Sequence, residues 1–145
     1  MKRVIVSGFF NPLHGGHLDM IEAAACLGDN LIVIVNNDKQ QLLKKGKIIL
    51  DEQNRLRLIK ALESVDEVVL AVDEDSSVIE TLKKLAEHYP KDQLIFANGG
   101  DRVSDKVTPE AAICKQLKVT MMYGVGGSEK ADSSTRINQA LGVQD

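Results

Sequence analysis

Five short runs rich in β-branched residues recur along this chain, each separated from the next by a turn-forming stretch and a segment of helical spacing. They are Val4-Ile5-Val6, Leu31 to Val35, Glu67 to Val72, Leu94-Ile95-Phe96-Ala97 and Val119 to Tyr123. Leu31 to Val35 is continuously apolar and does not alternate, the pattern of a strand covered on both faces. Helices are predicted from His17 to Leu27, closed by Gly28-Asp29, and from Asp51 with Leu56, Ile59 and Leu62 at three-residue steps and Leu58 widening the stripe. Another begins at Asp75 or Ser76, carries Val78, Ile79, Leu82, Leu85 and Ala86, and ends before Pro90. A short one runs from Pro109 through Leu117, and a last one opens at Asp132 or Ser133. The polar stretch from Asn36 to Lys47 reads as a loop. Strands that alternate with helices in this way predict an α/β fold, an approximately five-stranded parallel sheet with helices on both faces. At 145 residues the chain is expected to be one domain, because two cores would each bury too little surface.

Several classes are set aside by what the chain lacks. No apolar run approaches the ~20 residues that cross a bilayer. The start, Met1-Lys2-Arg3, is positive but leads into no apolar region of signal-peptide length, so a cytoplasmic location without membrane association is expected. Cys26 and Cys114 are isolated, which excludes a disulfide framework or a CxxC metal knuckle and reads both as small core residues. A formal net charge of -3 argues against non-specific nucleic-acid binding, which needs a basic surface. No P-loop, no G-x-G-x-x-G after the first strand and no G-x-S-x-G are present, which argues against a P-loop kinase, a dehydrogenase and a serine hydrolase.

In open parallel sheets, ligands gather beyond the carboxyl ends of the strands. The chemistry is therefore sought in the loops that follow strands. The first, Gly8-Phe9-Phe10-Asn11-Pro12-Leu13-His14-Gly15-Gly16-His17, places two histidines three apart at the mouth of a helix. Two imidazoles and the helix N–H groups can be aimed at one anion there, and glycines at 8 and 15 admit a bulky phosphate. Read alone, HxxH is equally an ordinary pair of loop or core histidines, and zinc would need ligands whose spacing the chain does not supply. Near the other end, Ser133, Ser134 and Thr135 at a predicted helix start offer hydroxyls, and Arg136 a charge-assisted donor, although Ser-Ser-Thr is also a common N-cap. Asn98-Gly99-Gly100-Asp101-Arg102, after the fourth strand, permits close approach to a base or ribose; a plain turn is its simpler reading. Lys39, Lys44, Lys45 and Lys47 form a basic stretch after the second strand, otherwise a solvated surface run.

The first loop resembles the HxGH signature of the nucleotidyltransferase superfamily, in particular its cytidylyltransferase-like branch. Gly8, Phe10, Pro12, His14, Gly16 and His17 fit that signature, whereas Phe9 stands where threonine is usual and Asn11 where aspartate is usual. Ser133-Ser134-Thr135-Arg136-Ile137 is similar to the second signature, a hydroxyl cluster opening the last helix. The resemblance implies a Rossmann-like domain that transfers CMP, or else AMP, from CTP or ATP to a small phosphomonoester or phosphonate. Pyrophosphate would be released by direct in-line attack, with Mg²⁺ accompanying the triphosphate and no dedicated carboxylate cage visible. His14 and His17 would contact the phosphates, with Lys44 and Arg136 beside them in the catalytic set. Gly8, Phe9, Phe10, Gly16, Asn98, Gly100, Asp101, Ser133, Ser134 and Thr135 would line the nucleotide, and Lys45 and Arg55 the acceptor, Arg55 being equally readable as an exposed helix charge. The sequence does not choose between Lys44 and Lys45. Relatives are often dimers, so a homodimer is among the expectations. Two other readings stay open: an adenylyltransferase for a heptose phosphate or a coenzyme precursor such as FMN, and a non-catalytic nucleotide sensor.

Overall fold

Each β-branched run becomes a strand because at least one parallel strand of the same kind lies beside it, so the pleated backbone finds partners and the side chains find two apolar layers. The computed structural model describes residues 1–99 and 109–126. The strands are β1 (Lys2–Gly8), β2 (Asn30–Val35), β3 (Glu67–Leu70), β4 (Gln93–Gly99) and β5 (Thr120–Val125), all parallel, in the order β3-β2-β1-β4-β5. The helices are α1 (Gly15–Ala25), α2 (Asp38–Lys45), α3 (Glu52–Lys60), α4 (Ile79–His88) and α5 (Ala111–Leu117).

Alternation along the strands sorts the core into two layers. Val4, Val6, Leu31, Val33 and Val35 pack with Ile21 and Ala24 of α1 and Ile59 of α3. Ile5, Ile32, Ile34, Leu94 and Phe96 pack on the other face with Leu82 and Leu85 of α4 and Ile113 and Cys114 of α5. Both faces of the sheet are therefore covered, and Leu31 to Val35 is buried throughout.

Four local readings are corrected. The stretch 36–47 is not a loop: Asn37 caps α2, its side chain accepting from the Gln40 N–H at 2.8 Å, and Gly46 closes the helix at φ 73°, a conformation that glycine adopts without strain. Cys26 is exposed, since it falls beyond the last turn of α1, while Cys114 is buried. Leu58 faces solvent, because the inward face of α3 is set by Arg55 and Ile59. Helix α4 begins at Ile79, later than Asp75 or Ser76; the Asp73 carboxylate caps it from a distance, accepting from the Glu80 N–H at 2.7 Å and the Thr81 N–H at 3.1 Å. The proposed helix at 132 or 133 lies outside the described residues.

Candidate active site

The strand order places β1 at the centre, with β2 and β3 on one side and β4 and β5 on the other. Chain direction across the sheet thus reverses between β1 and β4, where such sheets open a crevice. The pairing shows the opening directly. β1 pairs with β2 as far as Gly8 with Val35, but its recorded pairs with β4 stop at Ile5 with Phe96, although both strands continue. The loop from residue 9 to 14 starts at this seam.

That loop is held by groups the sequence does not advertise. Phe10 adopts φ 52°, unusual for an aromatic residue, and its ring is almost completely buried in the core layer beneath. A Cβ on Gly8 would lie 2.7 Å from the tip of that ring, so glycine is required here by Phe10 rather than by a phosphate. Phe10 is accordingly no nucleotide contact through its side chain; its ring meets His17 edge-on, 4.9 Å between centroids, and backs the imidazole. The Asn11-Pro12 peptide is cis. Asn11 is buried, and its Oδ1 accepts from the N–H groups of Ile49 at 3.0 Å and Leu50 at 2.8 Å, tying the loop to the segment between α2 and α3.

Arg55 completes the attachment. Its side chain is fully buried; Nε donates to the Leu50 carbonyl at 2.9 Å, Nη1 to the Phe9 carbonyl at 2.8 Å and to the Asn36 carbonyl, and Nη2 to Asp38 Oδ1 at 2.7 Å. Neither an exposed helix charge nor an acceptor-binding arginine describes a guanidinium enclosed in this way. Arg55 joins the ends of β1 and β2 to the start of α3, and it positions the loop without facing a ligand.

His14 is the N-cap of α1, and the two imidazoles cap reciprocally. His14 Nδ1 accepts from the Gly16 N–H at 3.1 Å, and His17 Nδ1 accepts from the His14 N–H at 3.2 Å. The rings stack with centroids 3.8 Å apart. A nitrogen that accepts a hydrogen bond carries no proton, so in the neutral rings the proton sits on Nε2 and each ring presents an N–H donor on its far side. Backbone N–H groups at this helix start are, in contrast, already engaged: Gly16 by the His14 ring and His17 by the His14 carbonyl at 3.0 Å. Of the anion contacts expected at this turn, the Gly16 N–H is therefore already bonded to the His14 ring.

Across from the loop, Lys44 and Lys45 end α2, where positive charge complements the helix dipole. Lys44 Nζ lies 4.6 Å from the centroid of the Phe9 ring. Asn98, buried at the end of β4, donates to the Phe96 carbonyl at 3.4 Å and the Met122 carbonyl at 3.1 Å, so its amide group bridges β4 and β5 where their register shifts. Gly100, Asp101, Ser133, Ser134, Thr135 and Arg136 lie outside the described residues. What sequence reasoning missed is the amide cluster under α2. Gln40 is buried and takes N–H donors from Asn36 and Asn37 while donating to the carbonyls of Asp75 and Ser77. Asn37-Asp38-Lys39-Gln40 does match the capping-box spacing, which was the available signal.

One perturbed group lies on this side, Asp75, whose carboxyl is held low chiefly by the hydrogen bond from the Ser77 hydroxyl at 2.6 Å; others sit at the opposite edge of the sheet. Asp92 is held below its ordinary range chiefly by the hydrogen bond from the Arg3 guanidinium, 2.6 Å away, and Tyr89 is raised chiefly by donating to the Glu67 carboxylate at 2.6 Å. These are ion-pair and hydrogen-bond ties between strand starts.

A parallel sheet with paired imidazole donors at a helix start, lysines on the facing helix and both beside the strand-order reversal defines a Rossmann-like α/β domain of the kind that handles nucleoside phosphates. The chain belongs to the cytidylyltransferase-like family, whose sequence model matches residues 5–140, and it is a nucleotidyltransferase. It is similar to the FAD synthase of Archaeoglobus profundus, 34% identical over 94% of this chain and 84% of that protein. It is also similar to the ethanolamine-phosphate cytidylyltransferase of Arabidopsis thaliana, 34% identical over 66% of this chain but only 23% of that longer protein. Among solved structures it matches the lipopolysaccharide core biosynthesis protein of Thermoplasma volcanium with a TM-score of 0.67 and 32% identity, covering 91% of this chain and 99% of that one. Among the described residues no helix is long and apolar enough to cross a membrane.

Proposed function

We propose that the chain transfers a nucleoside monophosphate from a nucleoside triphosphate to a small phosphorylated acceptor by one direct in-line displacement. The observation that carries this reading is the reciprocal histidine cap, because it holds two Nε2–H donors side by side at the crevice. In the displacement an acceptor phosphate oxygen bonds to the α-phosphorus as the bond to pyrophosphate breaks, and negative charge accumulates on the non-bridging and leaving oxygens. Donors fixed before the reaction stabilise that charge without reorganisation. His14 and His17 fill this role for the α-phosphate, Lys44 for the triphosphate, and Ser133, Ser134, Thr135 and Arg136 for the β- and γ-phosphates. Phe9, Gly100 and Asp101 line the nucleotide, Asn98 by fixing the end of β4, and Lys45 meets the acceptor phosphate.

Magnesium enters as part of the substrate. Among the described residues no three carboxylate, imidazole or thiol groups converge. Asn11, where relatives carry aspartate, has its Oδ1 on two backbone N–H groups, so the described residues do not fit a resident hard cation that needs several oxygen ligands. The ion is therefore assigned to the triphosphate it neutralises.

The extent of the match to an FAD synthase favours AMP as the transferred group and flavin mononucleotide as the first acceptor to try. CMP transfer to an amino-alcohol or polyol phosphate is the second reading, favoured by the match to a cytidylyltransferase. Incubation with each nucleoside triphosphate, Mg²⁺ and a panel of flavin mononucleotide, ethanolamine phosphate, glycerol phosphate and sugar 1-phosphates decides between them by pyrophosphate release. Release with ATP and flavin mononucleotide supports the first reading; release only with CTP supports the second; none with any pair contradicts the proposal.

A further inference from the structure

The ring of Phe9 is fixed at both ends of its backbone. The carbonyl of Gly8 before it accepts from the Asn36 N–H at 2.9 Å, its own carbonyl accepts from the buried Arg55 at 2.8 Å, and Phe10 after it is locked into the core. Lys44 is the opposite case: an exposed side chain with four rotatable bonds, on the last turn of a short helix. Its ammonium nevertheless stands 4.6 Å above the Phe9 ring centroid, within the range of a cation–π contact. Helix α2 is itself attached to the sheet by Asn37, which donates to the carbonyls of Ala71 at 3.0 Å and Asp73 at 3.1 Å. A rigid ring thus meets the ammonium of a side chain whose base is carried on a rigid helix.

We infer that Phe9 is a positioning residue for Lys44: its π-face gathers the ammonium at the mouth of the crevice, on the same loop as the histidine pair. This rests on the reading of Lys44 as the lysine that meets the triphosphate, and it supplies the choice between Lys44 and Lys45 that the sequence leaves open. Lys45, one residue on, points about 100° around the helix and away from the ring contact. Threonine at position 9 offers no such face, so a chain with phenylalanine there holds its lysine by a different device.

The test is a double-mutant cycle on the full chain, read as the dissociation constants of MgATP and MgCTP by calorimetry, together with the proton shifts of the Lys44 ε-methylene. In the parent chain the ring displaces those protons upfield, and Phe9→Leu abolishes the displacement while Phe9→Tyr keeps it. Phe9→Leu is expected to weaken binding of the better nucleotide about threefold more when Lys44 is present than in the Lys44→Met background, where only the ring's own contact with the nucleotide is lost; Phe9→Tyr restores parental affinity. Equal losses in both backgrounds, or no loss in the parent with Lys44→Met still weakening binding, overturn the role of the ring alone. Unchanged affinity in Lys44→Met overturns the reading of Lys44 and this inference with it. If Phe9→Leu does not fold, Phe9→Met serves in its place.

Discussion

A histidine at a helix start has two nitrogens and two tasks, and here they divide cleanly. Nδ1 of each imidazole stabilises the fold by accepting a backbone N–H, and Nε2 is the nitrogen we assign to chemistry. Removing a preorganised donor of this kind reduces kcat by about a hundredfold or more, whereas loss of one cap lowers stability by about 1 kcal/mol. His17→Ala is therefore expected to melt within a few degrees of the parent yet lose nearly all pyrophosphate release; near-parental turnover in the folded variant would remove His17 from the reaction. Arg55 behaves in the reverse way. Arg55→Leu leaves the carbonyls of Phe9, Asn36 and Leu50 and the Asp38 carboxylate without their donor. Its expected loss is about 3 kcal/mol in chemical denaturation, and a loss below about 1 kcal/mol would show that the guanidinium does not tie these segments together. The histidines are legible in the sequence because their spacing and flanking glycines form a local pattern. Arg55 is not, since nothing local distinguishes a buried cation from a solvated one until the carbonyls of Phe9 and Asn36, from distant segments, converge on it.

Helices read from apolar spacing when their buried face is apolar, which is why α3 was legible near its observed bounds and α4 at its carboxyl end. Helix α2 escapes that test because its leucines point the wrong way: Leu42 is 51% and Leu43 64% exposed, while Gln40 and Gln41 are buried. Its inward face is made of amides, and its attachment is a hydrogen-bonded cluster rather than an oily stripe. Such an element depends on its cap more than on its packing. Asn37→Ala removes one helix cap and two bonds to the turn after β3, and is expected to lower stability by about 2 kcal/mol and, by loosening the helix that carries Lys44 and Lys45, to raise the KM for the acceptor. Thermal melts and steady-state kinetics check the two parts; an unchanged KM would detach α2 from acceptor binding.

Over the whole molecule, the two edges of the sheet serve different ends. At the carboxyl edge the strands open around the histidine loop; at the amino edge Arg3, Asp92, Tyr89, Glu67 and the chain start knit β1, β3 and β4 together. Asp92 has a folded pKa below its unfolded value near 3.8, so its contribution is present above that pH and disappears as pH falls through the lower folded value. The melting temperature of the parent should consequently drop more steeply below about pH 4 than that of Asp92→Asn, with the two curves converging in acid; parallel curves would contradict the tie. The α/β class and the parallel sheet were legible because alternating runs admit few other arrangements. The strand order was not, because which strands become neighbours depends on contacts between distant segments, and the crevice exists only through that order.

The central claim is that the imidazole pair and the hydroxyl-rich segment 133–136 grip one triphosphate. A crystal structure with a non-hydrolysable triphosphate and Mg²⁺ tests it most directly. The expected result is the α-phosphate at ~3 Å from Nε2 of His14 and His17, with the β- and γ-phosphates on Ser134, Thr135 and Arg136. Phosphates bound away from the histidines, or held by only one of the two segments, would contradict it.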